Sequence, residues 1–157
     1  DFDDGGHRNA LETLWHSMAK EFDRRAIGVR DLTYLAHRYR DHPVHSYIIH
    51  LVFDSGDRVL GIVVARKAKH RLVLVDFVGR RQEFRNLVCY AKSLADKERC
   101  SEMFGWMTDI DCNLISGTGE KPKELPLRLP FGVYREGLDP EELRDRWFFM
   151  CGDSDFW

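Results

Sequence analysis

Asp76 stands in the middle of the most apolar run of the chain, "RLVLVDFVG", and is followed by Gly79, Arg80 and Arg81 at the start of a helical pattern. A carboxylate flanked by Val75 and Phe77 is expected to hold its proton more tightly than an exposed one, because burial disfavours the charged form. That property suits a general base working near neutral pH. The competing expectation is that Asp76 points to a partner such as an arginine. A second concentration of chemistry, "HRYRDHPVHSY", holds Arg38, Tyr39, His42, His45 and Tyr47, a polar and aromatic mixture that suits a sugar or an amino-acid-like ligand. His42 and His45 are zinc-type ligands, but no third ligand stands at a telling spacing, so no metal is expected.

The elements that must position these residues are readable from periodicity. From Asn9, "NALETLWHSMAKEF" places Leu11, Leu14, Trp15, Met18 and Phe22 on one helical face, and Asn9 with Glu12 has the spacing of a capping box. A shorter helix follows Asp31, a plausible N-cap, and must stop before Pro43. "YIIHLVF" (47–53), the turn "DSGD" and "RVLGIVVARKA" (58–68) predict an antiparallel hairpin, with "RLVLVDFVG" as a third strand. Residues 81–100 then space Phe84, Leu87, Val88, Ala91, Leu94 and Ala95 as a helical face, to which Cys89 is also assigned. A strand "EMFGWMT", a helical turn "DIDCNLIS", a Gly-rich loop, a strand "LRLPFGVY", a short helix after "DPEEL" and a final strand "RWFFMCGDSDFW" complete the order. The expectation is an α/β (α+β) fold with a mixed, mostly antiparallel central sheet, helices on both faces and a right-handed crossover through the central helix.

A chain of 157 residues fits a single domain, 1–157, able to bury a core without staples. Hydrophobic residues at 43% and charged residues at 32%, with both signs mixed, exclude a disordered or fibrous protein. A net charge of -2 supplies no general attraction for nucleic acid. No apolar run approaches the roughly 20 residues that cross a bilayer, and the acidic start "DFDDGGHRN" is unlike a signal peptide, so a cytoplasmic protein is expected. The missing initiator methionine admits a fragment or the C-terminal half of a larger protein. Cys89, Cys100, Cys112 and Cys151 stand singly, without a C-x-x-C pair, and are expected as reduced thiols.

This order, built around a strand, a Gly-Arg loop and a long amphipathic helix, resembles the GNAT acyltransferase superfamily. "HRYRDHPVHSYIIHLVFDSGDRVLGIVVARK" followed by "LVDFVG" is similar to a bacterial branch of it. The resemblance implies that the strand carrying Asp76 splays from the next strand. The backbone of Phe77, Val78 and Gly79 would then hold the extended arm of acetyl-coenzyme A or another acyl-coenzyme A. Its pyrophosphate would sit at the following helix N-terminus, on Gly79, Arg80, Arg81 and Gln82, with Asn113 as a further hydrogen-bonding group for the cofactor. It further implies Asp76 as the base and Tyr134 as the acid near the leaving thiolate. The acceptor side would comprise Arg38, Tyr39, His42, Tyr47 and, on the fifth strand, Trp106.

The implied reaction transfers an acyl group from acyl-coenzyme A to a small-molecule amine, an amino sugar or amino-acid-like compound. An alkylammonium with a pKa of about 10 must lose a proton before it attacks. Where the family carries glycines in its phosphate loop, this chain has Glu83 and Phe84. A carboxylate there repels a phosphate, and side chains limit close approach to the amides. The alternative expectation is therefore a non-catalytic module of the same fold that has lost the cofactor. The fragment "GDS" (152–154) is similar to a hydrolase nucleophile motif, but that motif opens a domain and this one closes the chain. Trp147, Phe148 and Phe149 are expected in the core, and the exposed half of their strand could pair with another domain or a second copy.

Overall fold

The computed structural model describes residues 5–23, 25–108, 113–115, 117–118, 123–125, 141 and 146–154. Helix α1 (Gly5–Glu21) buries Leu11, Leu14 and Met18, the face anticipated from its spacing. It begins before Asn9, which therefore lies within the helix rather than at a cap, and the Asn9 carbonyl accepts the Thr13 hydroxyl at 2.8 Å. Phe22, just past the helix, is 1% exposed and closes its apolar stripe. A two-residue strand, β1 (Ala26–Ile27), follows.

Helix α2 (Leu32–Leu35) starts at Asp31, whose side chain accepts the Tyr34 amide at 2.8 Å, satisfying one of the donors that a helix start leaves open. The helix then widens into a π-helical turn, Ala36–Arg40, and stops ahead of Pro43. This turn brings Tyr39 inward, 2% exposed.

Strands β2 (Ile48–Phe53), β3 (Val59–Ala68) and β4 (Arg71–Gly79) form the expected antiparallel meander. Helix α3 (Phe84–Lys97), preceded by a 3₁₀ turn at Arg81–Glu83, crosses back to β5 (Glu102–Phe104), which pairs with β4 in parallel. The result is a mixed, mostly antiparallel sheet of order β2-β3-β4-β5. Strand β6 (Trp147–Phe148) pairs in parallel with β1, and Met150 bridges Met107 in the continuation of β5. A 3₁₀ turn, Cys151–Asp153, follows.

Two local features shape the sheet. Gly61 of β3 faces Gly79 of β4 across the ladder, and Leu87 of α3 packs onto both; a Cβ at Gly61 would stand 2.5 Å from the Val78 carbonyl and 2.8 Å from Leu87. These glycines set how closely α3 approaches. In β4, Leu74 opposes Ala65 and Asp76 opposes Val64, so Val75 is an extra residue, a β-bulge that bends the strand and increases its twist. The β4–β5 pairing ends at Val73 and Phe104, immediately before this bulge. Side chains alternate across a strand, so Asp76 points away from Phe77 and toward Tyr39 of the π-helical turn, while Phe77 meets Phe84 of α3. Helical segments thus cover both faces of the sheet.

Strand β5 is shorter than the run "EMFGWMT" suggested, because pairing stops at the bulge. The final strand also ends early and turns. Cys89 is exposed, contrary to its assignment to the apolar face, since it lies about 100° past Val88, off the buried arc of α3. The strand 127–134 and most of the short helix after 139 lie outside the described residues. No helix among the described residues is long and apolar enough to cross a membrane.

Candidate functional site

Asp76 is fully buried, and both its oxygens are engaged. Oδ1 accepts Arg30 Nε at 2.9 Å and the Phe77 amide at 2.9 Å; Oδ2 accepts the Tyr39 hydroxyl at 2.8 Å. Arg30, itself 0% exposed, also donates from Nη1 to the Gly28 carbonyl at 2.8 Å and from Nη2 to Asp153, and it lies over the Phe148 ring. One guanidinium therefore joins β4, the β1–α2 connection and the C-terminal 3₁₀ turn. Its five fixed donors suit this forked role. The arrangement is the arginine-partnered alternative for Asp76, enclosed rather than presented to a ligand.

The electrostatics follow from burial. Desolvation alone would lower the Arg30 pKa, but Asp76 and Asp153 outweigh it and raise it, so the guanidinium stays charged. Burial pushes the Asp153 carboxyl up against the opposing pull of Arg30, with Asp76 adding repulsion. Burial likewise raises Tyr39 and pushes Tyr34 up to about 12, with Asp76 reinforcing both, and it pushes the Cys151 thiol up to about 12. Both tyrosines remain protonated at neutral pH and act as donors. Tyr34 donates to the Gly152 carbonyl at 3.4 Å, and Arg38 donates to the Gly152 and Ser154 carbonyls at 3.2 and 2.7 Å.

At the C-terminal end of β4 and just beyond it stand the residues anticipated to hold a pyrophosphate. The Arg81 amide donates to Glu21 Oε2 at 2.7 Å, and its guanidinium lies over Phe22. A carboxylate on an amide at the start of a helical segment is the pairing expected of an anion at that position. Arg80, Arg58, Glu83 and Thr13 line a concavity of about 340 Å³ beside it, between α1 and the β2–β3 turn. Glu83 is 6% exposed and accepts Asn86 Nδ2 at 2.7 Å and Arg58 Nη2 at 3.3 Å. Gln82 is exposed. Phe77 and Val78 are buried, and Gly79 serves close packing against Leu87 and the Leu60 carbonyl. Arg58 and Arg80 bring positive charge to this concavity, but Arg58 is paired with Asp54 and Glu83, Glu83 is a repulsive neighbour for a phosphate, and Glu21 occupies the Arg81 amide.

Of the residues anticipated on the acceptor side, Tyr39, His42 and Tyr47 come together: Tyr47 meets Tyr39 and His42 edge-on at 5.2 and 5.5 Å, and His42 stacks on His45 at 5.0 Å. His42 Nδ1 accepts the Val44 and His45 amides at 3.1 and 2.9 Å, which puts the proton of the neutral ring on Nε2. Its pKa is lowered, by partial desolvation and then by His45, Arg38 and Arg66. His42 is thus a neutral donor rather than a base. Trp106 stacks on Phe149 at 5.6 Å, and its amide donates to Cys151 Sγ at 3.4 Å, which places it at the C-terminal turn rather than beside His42. Asn113 is exposed, and Tyr134 lies outside the described residues.

Sequence reasoning missed Arg30, Glu21 and Arg66. Arg30 sits in "AIGVRDL", and the available signal was that a carboxylate in a wholly apolar strand requires a buried cation somewhere in the chain. Glu21 and Arg66 carry no local pattern that marks them. Comparison with known proteins returns no match: no family model, no curated protein and no solved structure corresponds to this chain.

Proposed function

We propose that this chain is a GNAT-type N-acyltransferase domain, passing an acyl group from acyl-coenzyme A to the amine of an amino-sugar or amino-acid-like acceptor. The observation that carries the reading is the parting of two parallel strands at Val73 and Phe104, at a bulge in β4, with α3 beginning at the far end of the same strand. The C-terminal half of β4 thus runs beyond its pairing with β5 and ends beside the cavity lined by Arg58 and Arg80; an extended arm would take the place of the turn Cys151–Asp153, which packs against Asp76 there. When bound, the donor supplies a thioester: the C–N bond forms as the C–S bond breaks, and the proton lost by the amine is balanced by the one taken up by the leaving thiolate. Asp76 serves to hold the wall of this region, since Arg30 and Tyr39 occupy its oxygens.

The test is calorimetric titration with acetyl-coenzyme A. Saturable binding that weakens in Arg80→Gln and strengthens in Glu21→Gln, where the resident carboxylate no longer competes, supports the donor site. Absence of heat at millimolar ligand in both the parent chain and Glu21→Gln would remove it.

A specific observation favours a second reading, a non-catalytic module of the same fold. The Arg81 amide is satisfied by Glu21, the Phe77 amide by Asp76, and Gly152 packs against Asp76 and Tyr39 beside the splay. A thermal midpoint indifferent to acetyl-coenzyme A, in a well-folded protein, would select this reading.

A further inference from the structure

We infer that the sheet face at the closed end of the β4–β5 pair is a binding site for a phosphate-bearing small molecule with a flat ring, of the nucleoside diphosphate class. Two rungs build it, with Lys67–Leu72–Met103 between them: Arg66–Val73–Phe104 and Ala68–Arg71–Glu102 lie in register across β3, β4 and β5 and share one face. A concavity of about 390 Å³ opens over them, lined by Arg66, Lys69, His70, Arg71, Val73 and Phe104. That volume is of ligand size and larger than a phosphate group needs.

The lining divides by chemistry. Val73 is an apolar floor, 1% exposed, and Phe104 beside it is a large aromatic left 37% exposed, a platform on which a planar ring can stack. Around them stand three formal cations and a histidine. Arg66 and Arg71 are diagonal neighbours, about 7–8 Å apart at the backbone, within reach of one phosphate for two guanidinium forks. Arg71 Nε meets Glu102 at 2.8 Å, but this pair is half-exposed on both sides and contributes little, so Arg71 can turn to an anion at small cost. Lys69 takes a left-handed backbone, φ 58°, in the tight β3–β4 turn, where glycine is the less strained residue. The turn therefore carries a lysine at a conformational penalty, at the rim of a cation-lined cavity in a chain whose net charge is -2.

The position gives the site its meaning. It lies at the N-terminal end of β4, whereas Arg80 and α3 lie at the C-terminal end, nine residues or about 30 Å away along the strand. Val73 and Phe104 are the last pair before the strands part. A ligand seated here is thus next to the parting point and distinct from the concavity at Arg80. Only a ligand of this class that also carries an amine, such as a nucleotide-linked amino sugar, could be the acyl acceptor, and that role rests on the acyltransferase reading; the binding does not.

Calorimetric titration of the full chain with UDP, inorganic pyrophosphate and uridine, without acetyl-coenzyme A, tests the inference. UDP is expected to bind, at least tenfold more weakly in Arg66→Gln and Lys69→Gly, and more weakly as salt rises from 50 to about 200 mM. Lys69→Gly relieves the left-handed strain, so it keeps or raises the melting temperature while affinity falls, which separates binding from folding. Phe104→Ala is expected to lower UDP affinity and leave pyrophosphate affinity unchanged. No heat with millimolar UDP, or UDP affinity unchanged in Arg66→Gln and Lys69→Gly, would overturn the site; pyrophosphate binding as tightly as UDP would overturn the ring-stacking half. Acetyl-coenzyme A binding that depends on Arg80 but not on Lys69 keeps the two tests apart, so that either can fail alone.

Discussion

Arg30 holds two carboxylates and a backbone carbonyl in a region from which water is excluded, and such a group is expensive to leave half-partnered. Removing one member of a buried ion pair typically costs about 3–5 kcal/mol, because the remaining charge stays buried. Asp76→Asn is expected to destabilise the fold by about that amount, read as a lower urea midpoint at unchanged slope. The tyrosines give the same network a signature in pH. Tyr34 has a folded pKa of about 12, and Tyr39 is raised in the same direction, against about 10 for an unfolded tyrosine. A raised folded pKa means that the stabilisation is complete below the unfolded value and is lost as pH climbs through the folded one. Phenolate absorbance from Tyr34 and Tyr39 is therefore expected only as the protein unfolds, above the pH at which a free tyrosine ionises. Ionisation of Tyr34 and Tyr39 near pH 10 in a protein that is still folded would contradict this environment.

The glycine pair Gly61 and Gly79 fixes the approach of α3, and the bulge at Val75 fixes where β4 leaves β5; together these two features decide the shape of the sheet. A Cβ at Gly61 meets the Val78 carbonyl, which is backbone and cannot swing aside, as well as Leu87. Gly61→Ala is expected to cost about 1–3 kcal/mol, the usual range for overpacking, and Leu87→Ala in the same chain should not restore the loss, because the carbonyl clash persists; thermal melts of the single and double variants check this. Such element-scale facts were unevenly legible in the chain. The meander from 47 to 79 and the face of α3 were readable, because their apolar periods are set by burial of one side. Asp31 was readable as a cap because its chemistry is local. The bulge was not, since an inserted residue in a strand apolar on both faces leaves the pattern unchanged. The pairing of Arg30 with Asp153 spans 123 positions, and no local rule connects them. Asn9 and Glu12 had the spacing of a cap, yet the helix extends upstream through His7 and Arg8 to Gly5 and Gly6, although glycines are poor helix formers.

Across the whole molecule, the segment from Arg146 to Ser154 is tied to the central sheet by hydrogen bonds and aromatic packing. It pairs with β1 through Ala26 and Ile27, and the Ala26 amide donates to the Arg146 carbonyl at 3.0 Å. Further along, the Thr108 amide donates to the Phe149 carbonyl at 3.0 Å and its hydroxyl to the Trp147 carbonyl at 2.8 Å. Phe148, fully buried, packs on Phe22, Phe77 and Phe84, so the residue that follows α1, the strand β4 and the start of α3 share one aromatic cluster with the chain's last described strand. Asp153 then closes the charge network under Asp76. Elements coupled this densely should open together rather than peel away. In native-state hydrogen exchange, the amides of Ala26 and Thr108 are expected to exchange only with global unfolding, at the same free energy as the central amides of β3 and β4. A second arm of the experiment discriminates further: Asp153→Asn, which leaves the Arg30–Asp76 bond in place but removes its counter-charge at the turn, should lower the protection of Ala26, Thr108 and the β4 amides in parallel. If instead Ala26 and Thr108 lost protection while β4 kept it, the C-terminal segment would be a separately opening flap, the behaviour that an arm bound beside β4 requires, whereas joint opening favours the non-catalytic reading.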